Sequence, residues 1–367
     1  MSDDLESAPL TEGIALCLSG GGYRAMLFHL GVLWYLNDAR YLKKITRFSS
    51  VSGGSITSGT LASRWTKLGF DANGFAANFV AEVVTPIRGM ASTTIDVGSV
   101  LGGIFGRGSI SDRVRDAYDK HLYNGMRLDQ LPAEPRFVIN ATNVQTGSLV
   151  RFSQKYIADY RVGQWKPNKL VAEAVTASSA FPPVLSPVRL KFAASDYSKL
   201  DGATLTEPPY TTDVVLTDGG VYDNMGIETA KSCMTILVSD AGAKLAPEED
   251  PHGNPVQHGL RVNSLIDNQV RSLRKREVVG SLTDGSRKGA FWAMYSNPAK
   301  YPVTSKLALP AHRIDELAKT PTRLAKLDPA YQERLINFGY AMAERAMRAH
   351  AGVTFAPEKF PYDKTGV

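Results

Sequence analysis

The chain has 367 residues, 43% hydrophobic and 21% charged, which excludes a disordered protein and suits one large α/β domain or two of ordinary size. No run reaches the roughly 20 uncharged apolar residues that a membrane-spanning helix needs. The net charge is +6, yet the basic residues are scattered except at Arg271, Arg274, Lys275 and Arg276. No nucleic-acid-binding module accompanies that patch, so no nucleic-acid polymer is expected as a partner; a bias towards anionic surfaces or a solvated helix face would account for it.

In chain order, residues 1–12 are acidic and polar and form a loose leader. They lack the basic start and apolar run of a secretory signal, so a cytoplasmic location is expected. Gly13–Leu18 is a short apolar run predicting a buried strand. Ser19-Gly20-Gly21-Gly22 follows, and then apolar residues at helical spacing, Met26, Leu27, Leu30, Leu33 and Trp34, predict a helix from Tyr23 to about Asp38. Residues 45–51 predict a second strand, followed by Gly53-Gly54 and a helix to about Leu68. Strand, glycine turn and helix thus occur twice in succession, which implies a parallel sheet with crossover helices.

Residues 86–110 combine Val, Ile, Leu and Phe with six glycines, a composition that cannot make a firm helix and that suits a lid, an interfacial loop or an irregular connection. Residues 135–153 predict two strands around a Thr146-Gly147 turn. Val171–Ser179 predicts a short helix ended by Pro182-Pro183. Residues 213–217 and 235–239 are two further apolar strands, each followed by a polar turn. Residues 262–279 and 329–350 predict helices, with Pro329 suited to a first helical position. Cys17 and Cys233 each lie in a strand-like apolar run and are expected as buried thiols.

Three segments carry chemistry. In Ser50-Val51-Ser52-Gly53-Gly54, Ser52 lies between a strand and a helix, where a sharp turn forces its hydroxyl outward and requires small neighbours. The helix after it offers free N–H groups and a partial positive charge. The usual first residue of such an elbow is glycine; here it is Ser50. Ser19-Gly20-Gly21-Gly22-Tyr23-Arg24 also opens a helix, and its glycines can turn successive N–H groups into one concavity for an oxyanion. Arg24 stands in a first helical turn, where a cation is disfavoured. Its presence there implies a specific role, either bracing the loop or meeting a lipid phosphate. Gly20, Gly22 and Ala25 also fit a loose dinucleotide fingerprint, but the second strand ends in serines where a ribose-binding acid is needed. Asp218 ends a strand before Gly219-Gly220, which is either an ordinary turn or a carboxylate positioned to take the serine's proton.

Taken together and in this order, the loop at 19–24, the elbow at 50–54 and Asp218-Gly219-Gly220 resemble the signatures of the patatin-like phospholipases. Residues 177–183 and 221–226 look like further family segments, and the resemblance extends over about residues 13–245. Asp223 and Asn224 are expected only to order their loop. The resemblance implies a three-layer α/β/α fold with a mostly parallel central sheet and a Ser–Asp dyad that uses no metal or cofactor. Ser52 maps onto the nucleophile, Asp218 onto the base, Gly20, Gly21 and Gly22 onto the oxyanion hole, with Arg24 and Gly53 in support. The expected substrate is an acyl ester of a phospholipid or lysophospholipid, met by peripheral attachment to a membrane surface. A homo-oligomer or a small-molecule activator is compatible with this reading. The domain boundaries that follow are 13–350 for one catalytic domain and 351–367 for a tail. The alternatives are a Ser–Asp–His hydrolase with His252, His258 or His312 as base, and a lipid-binding module whose site is silent.

Overall fold

The computed structural model describes residues 10–95, 109–251 and 253–367. Eleven strands are present among them: β1 (Thr11–Leu18), β2 (Arg47–Ser50), β3 (Arg136–Asn143), β4 (Ser148–Phe152), β5 (Ile157–Asp159), β6 (Gly163–Trp165), β7 (Val188–Lys191), β8 (Tyr197–Ser198), β9 (Asp213–Asp218), β10 (Cys233–Asp240) and β11 (Lys288–Ala293). The α-helices are α1 (Gly22–Asp38), α2 (Gly53–Arg64), α3 (Thr85–Ala91), α4 (Ile110–Tyr118), α5 (Val171–Ser178), α6 (Gly220–Asp223), α7 (Pro255–Thr283), α8 (Ala311–Ala318) and α9 (Pro329–His350).

One sheet runs in the order β11-β10-β1-β2-β3-β4-β5-β6-β8, with β9 pairing to β3 and β7. The strands from β11 to β3 are mutually parallel, as the two strand–turn–helix units require. From β3 onwards the pairing turns antiparallel, which the Thr146-Gly147 hairpin begins.

Alternation along β1 divides the interior. Leu16 and Leu18 enter the large core with α1, α2 and α9. Ala15 and Cys17 face the opposite side, where Met225, Ile227, Cys233 and Val278 of α7 form a smaller cluster. Helices therefore cover both faces, and period-two alternation assigns each strand residue to one of them. Both cysteines are buried free thiols, and burial pushes the Cys17 pKa up.

Two regions differ from the sequence reading. Residues 85–91 form a helix despite Gly89, because Ile87, Met90 and Ala91 pack into the large core and outweigh the glycine's propensity. The rest of the glycine-rich segment, 96–108, lies outside the described residues. Residues 351–367 are docked rather than a free tail: the Asn337 amide donates to the Tyr362 carbonyl at 2.9 Å, and Trp34 meets the Tyr362 ring edge-on. Helix α9 crosses α1 at unusually close range. A Cβ on Gly31 would run into the Ile336 carbonyl, and one on Gly339 into that of Phe28. Reciprocal glycines let the two backbones touch.

Candidate active site

The site lies at the carboxyl ends of the parallel strands, where an open α/β sheet leaves a crevice. Leu18 of β1 is in register with Ser50 of β2 and Ser239 of β10, so the turns that follow all three open on one rim. On β3, Ile139 is level with Ser50, and Ala141 two residues later pairs with Asp218 of β9. The antiparallel arrival of β9 thus brings the aspartate to the rim that the serine turn occupies.

Ser52 has φ 51° and ψ −121°, a backbone state rare for any residue with a side chain. It is 6% exposed. Ser50 fits the elbow without glycine: its hydroxyl accepts from Ser55 Oγ at 3.1 Å. The main-chain N–H of Ser52 donates to the Ser178 hydroxyl at 3.0 Å. Ser178 in turn donates to the Asn140 carbonyl at 2.6 Å, and Asn140 Nδ2 donates to the Ser50 carbonyl at 3.0 Å. These bonds lock the turn from below.

Asp218 is 3% exposed. Its Oδ1 accepts the Gly220 N–H at 2.7 Å, while the buried Oδ2 has no hydrogen-bond partner among the described residues. Burial pushes its pKa up to about 7; the Gly220 N–H and the nearby Ser52 hydroxyl oppose the rise, and the charge of Asp267 adds to it. The Ser52 hydroxyl is thus close enough to favour the carboxylate yet forms no bond of full geometry with Oδ2. An unliganded catalytic pair often has this looseness.

The glycine loop adjoins the serine. A Cβ on Gly20 would lie 3.1 Å from Ser52 Cβ and collide with Asn224 Oδ1, and one on Gly53 would strike the Gly22 carbonyl. Gly21 (φ +140°) and Gly22 (φ +61°) hold conformations that favour glycine. Gly20 departs from its expected part as an oxyanion donor, because its N–H already donates to the Asn224 carbonyl at 3.0 Å. The N–H groups of Gly21, Gly22 and Gly53 carry no hydrogen bond among the described residues.

Arg24 is 1% exposed. Its Nε donates to the Ala241 carbonyl at 3.1 Å, Nη2 to Thr322 Oγ1 at 3.2 Å, and Nη1 to the Thr320 carbonyl. Burial lowers its pKa to about 10, so it stays charged at neutral pH. Of its two anticipated roles, bracing the loop is the one its position allows; a lipid phosphate has no access to it.

His29 is also buried in this brace, with Nε2 3.0 Å from the Ser19 carbonyl and Nδ1 2.9 Å from Ser239 Oγ. Burial lowers its pKa to about 4, which keeps it neutral. No histidine hydrogen-bonds Ser52 or Asp218 among the described residues. His258 and His312 are exposed on α7 and α8, and His252 lies outside the described residues.

Sequence motifs assign no separate role to Ser178 and only a loop-ordering one to Asn224, yet both belong to the site. Asn224 bears on Gly20 and Gly220 at once, and residues 178–180 bridge the pair: Ser178 Oγ holds the Ser52 N–H, and the Ala180 carbonyl accepts the Asp218 N–H at 3.0 Å. Asp223 does order its loop, accepting from the Met225 and Glu228 N–H groups. The basic patch on α7 is mostly turned inward. Arg271 pairs with Asp240 at 3.3 Å, and Arg274 with Glu228 at 3.0 Å.

A family model for patatin-like phospholipases matches residues 16–231. None of the curated proteins matches the chain. Among solved structures, human GIVD cytosolic phospholipase A2 is similar over 92% of this chain and 59% of its own, at 12% identity and a TM-score of 0.51. At that identity the likeness is one of fold. The same human protein in complex with methyl gamma-linolenyl fluorophosphonate gives 13% identity over 93% of this chain and 60% of its own, with a TM-score of 0.48. VipD from Legionella pneumophila gives 16% identity over 94% of this chain and 68% of its own, with a TM-score of 0.37. The present chain thus spans less than two thirds of the human protein's length.

Proposed function

Because the chain belongs to the patatin-like phospholipase family, whose members are lipid hydrolases, we propose that it cleaves fatty-acyl esters of phospholipids or lysophospholipids through a Ser52–Asp218 dyad. The observation that carries this reading is the Asp218 carboxyl group, buried beside the Ser52 hydroxyl with one oxygen unbonded. A weak base becomes a useful one when burial lifts its pKa to the working pH.

The reaction is a two-step acyl transfer. Asp218 takes the proton of Ser52 as the oxygen attacks the ester carbonyl. The N–H groups of Gly21, Gly22 and Gly53 are the available donors for the resulting oxyanion, each worth a few kcal/mol of barrier in such sites. Protonated Asp218 then passes its proton to the leaving alcohol oxygen as the ester C–O bond breaks. In the second half Asp218 takes a proton from water, hydroxide attacks the acyl-serine, and the fatty acid leaves as Ser52 regains its proton.

Peripheral attachment to a membrane is supported by the surface around this site. Phe181 and Val221, on the segments flanking Asp218, are 57% and 56% exposed. Val256, Ile266 and Leu273 of α7 are exposed to similar degrees, and α7 reaches the site through Arg274, which donates to the Tyr222 carbonyl. Exposed apolar side chains beside a crevice are suited to a lipid interface. No helix among the described residues is long and apolar enough to cross a membrane. A cytoplasmic enzyme that docks on the bilayer when acting is the arrangement we favour.

The test is labelling with a fluorophosphonate, followed by lipid mass spectrometry on a mixed phospholipid extract. Wild type should be labelled at Ser52 and release free fatty acid. A protein that binds lipid but takes no label would make this a silent lipid-binding module.

A further inference from the structure

A cavity of about 1020 Å³, lined by none of the Ser52 or Asp218 site residues, lies along the free edge of β11. Its walls are the last turns of α7, the segment after β11 and the end of α9. Four cations line it: Lys275, Arg287, Lys288 and Lys300. No aspartate or glutamate is among its lining residues, and none of the four cations has a carboxylate partner among the described residues. On the same helix Arg261, Arg271 and Arg274 do pair with carboxylates.

Lys275 is the most enclosed of the lysines. Its ammonium stands 5.2 Å from the Phe291 ring centroid and 4.9 Å from that of Tyr295. Burial lowers its pKa; Asp240 opposes this, and the charges of Arg271 and Lys300 lower it further. Arg287 is held by the Cys233 and Lys231 carbonyls, which orient it without neutralising it. Four positive charges around one concavity repel each other, and an anion in their midst converts that repulsion into attraction. The remaining walls mix apolar and aromatic surface, including Tyr41, Phe291 and Tyr301, with the polar side chains of Thr283, Asn297 and His350. A volume of this size admits a small organic molecule rather than a bare ion.

We propose that this cavity is a binding site for a phosphate-bearing small molecule, whose phosphate meets Lys275, Lys288 and Lys300 and whose apolar or ring portion lies on Tyr41, Phe291 and Tyr301. A soluble phosphate ester and the headgroup of an acidic lipid share this chemistry. The site does not depend on Ser52, so it stands or falls separately from the dyad.

The test is calorimetric titration of the full chain carrying Ser52→Ala, which prevents turnover of a lipid probe, at low and high salt. The probes are inorganic pyrophosphate, adenosine monophosphate and monomeric dihexanoyl phosphatidate. At least one of the two esters should bind more tightly than pyrophosphate, and which one does so assigns the source. The double variant Lys288→Glu/Lys300→Glu changes exposed side chains and should retain its fold by circular dichroism. It should weaken ester binding by at least roughly tenfold, and salt should weaken binding to the unaltered cavity. The proposal is overturned if no probe binds, if pyrophosphate binds as well as both esters, or if the double variant binds as tightly as its parent.

Discussion

The Ser178 hydroxyl accepts the main-chain N–H of Ser52 at 3.0 Å and donates to the Asn140 carbonyl at 2.6 Å, so a side chain from α5 fixes the backbone of the serine turn. The same short segment holds the Asp218 N–H through the Ala180 carbonyl. One stretch of chain therefore sets the spacing of the two reacting groups.

Ser178 acts as a positioning residue. Ser178→Ala should lower kcat by about tenfold while leaving KM nearly unchanged, because it relaxes the turn without touching the acyl chain. Ser178→Thr, which keeps the hydroxyl, should recover part of the loss. Steady-state kinetics on a soluble ester would check both; an unaltered kcat in the alanine variant contradicts the assignment.

Ser52→Ala and Asp218→Asn should each reduce ester hydrolysis by at least about a thousandfold, with circular dichroism unchanged. Full turnover by Asp218→Asn would remove the dyad.

Activity should rise with pH. The Asp218 pKa of about 7 means that the base form predominates only above neutrality, so kcat/KM should climb through about pH 7 and level off. Stability runs the other way. The folded carboxyl binds its proton more tightly than the unfolded one, whose pKa is 3.8. Its contribution to stability is therefore fully present below the unfolded pKa and is lost as pH rises through the folded pKa. Asp218→Asn should accordingly raise Tm relative to wild type at pH 8 and hardly at all at pH 4, a difference on the order of a few kcal/mol. Thermal melts at the two pH values measure it.

Ile266→Asp/Leu273→Asp on α7 should reduce co-sedimentation with anionic liposomes several-fold while sparing hydrolysis of a monomeric ester. Equal loss on both substrates would place the fault in folding rather than in docking.

Gly31→Ala and Gly339→Ala should each destabilise the protein by about 2 kcal/mol or more, since neither backbone can retreat from the added methyl without opening the α1–α9 contact. Urea denaturation would show this as a lower midpoint.

The chemistry-bearing segments are legible in the sequence because each is contiguous. Glycines directly after an apolar run mark a turn on a strand end, and Ser52 and Asp218 lie in such turns. The parallel half of the sheet follows from the repeated strand–turn–helix units. What stays hidden depends on distant chain. Asn224 matters because its carbonyl claims the Gly20 N–H and its side chain fills the space two glycines leave, neither of which local pattern reveals. Arg24 is open to two roles until its partners at 241, 320 and 322 are known. The helix at 85–91 is masked by Gly89, since propensity says nothing of the core that receives Ile87 and Met90.

The close passage of α1 and α9 bears on what can fold alone. The family match ends at residue 231, yet α1 rests on a helix that starts at Pro329, and β1 is flanked on one side by β10, from Cys233 onwards. A fragment cut to the matched residues would expose a raw strand edge and a helix that is almost wholly buried in the full chain, and would aggregate rather than hold a nucleophile in place. The region that chemistry makes recognisable is smaller than the region that physics makes indivisible.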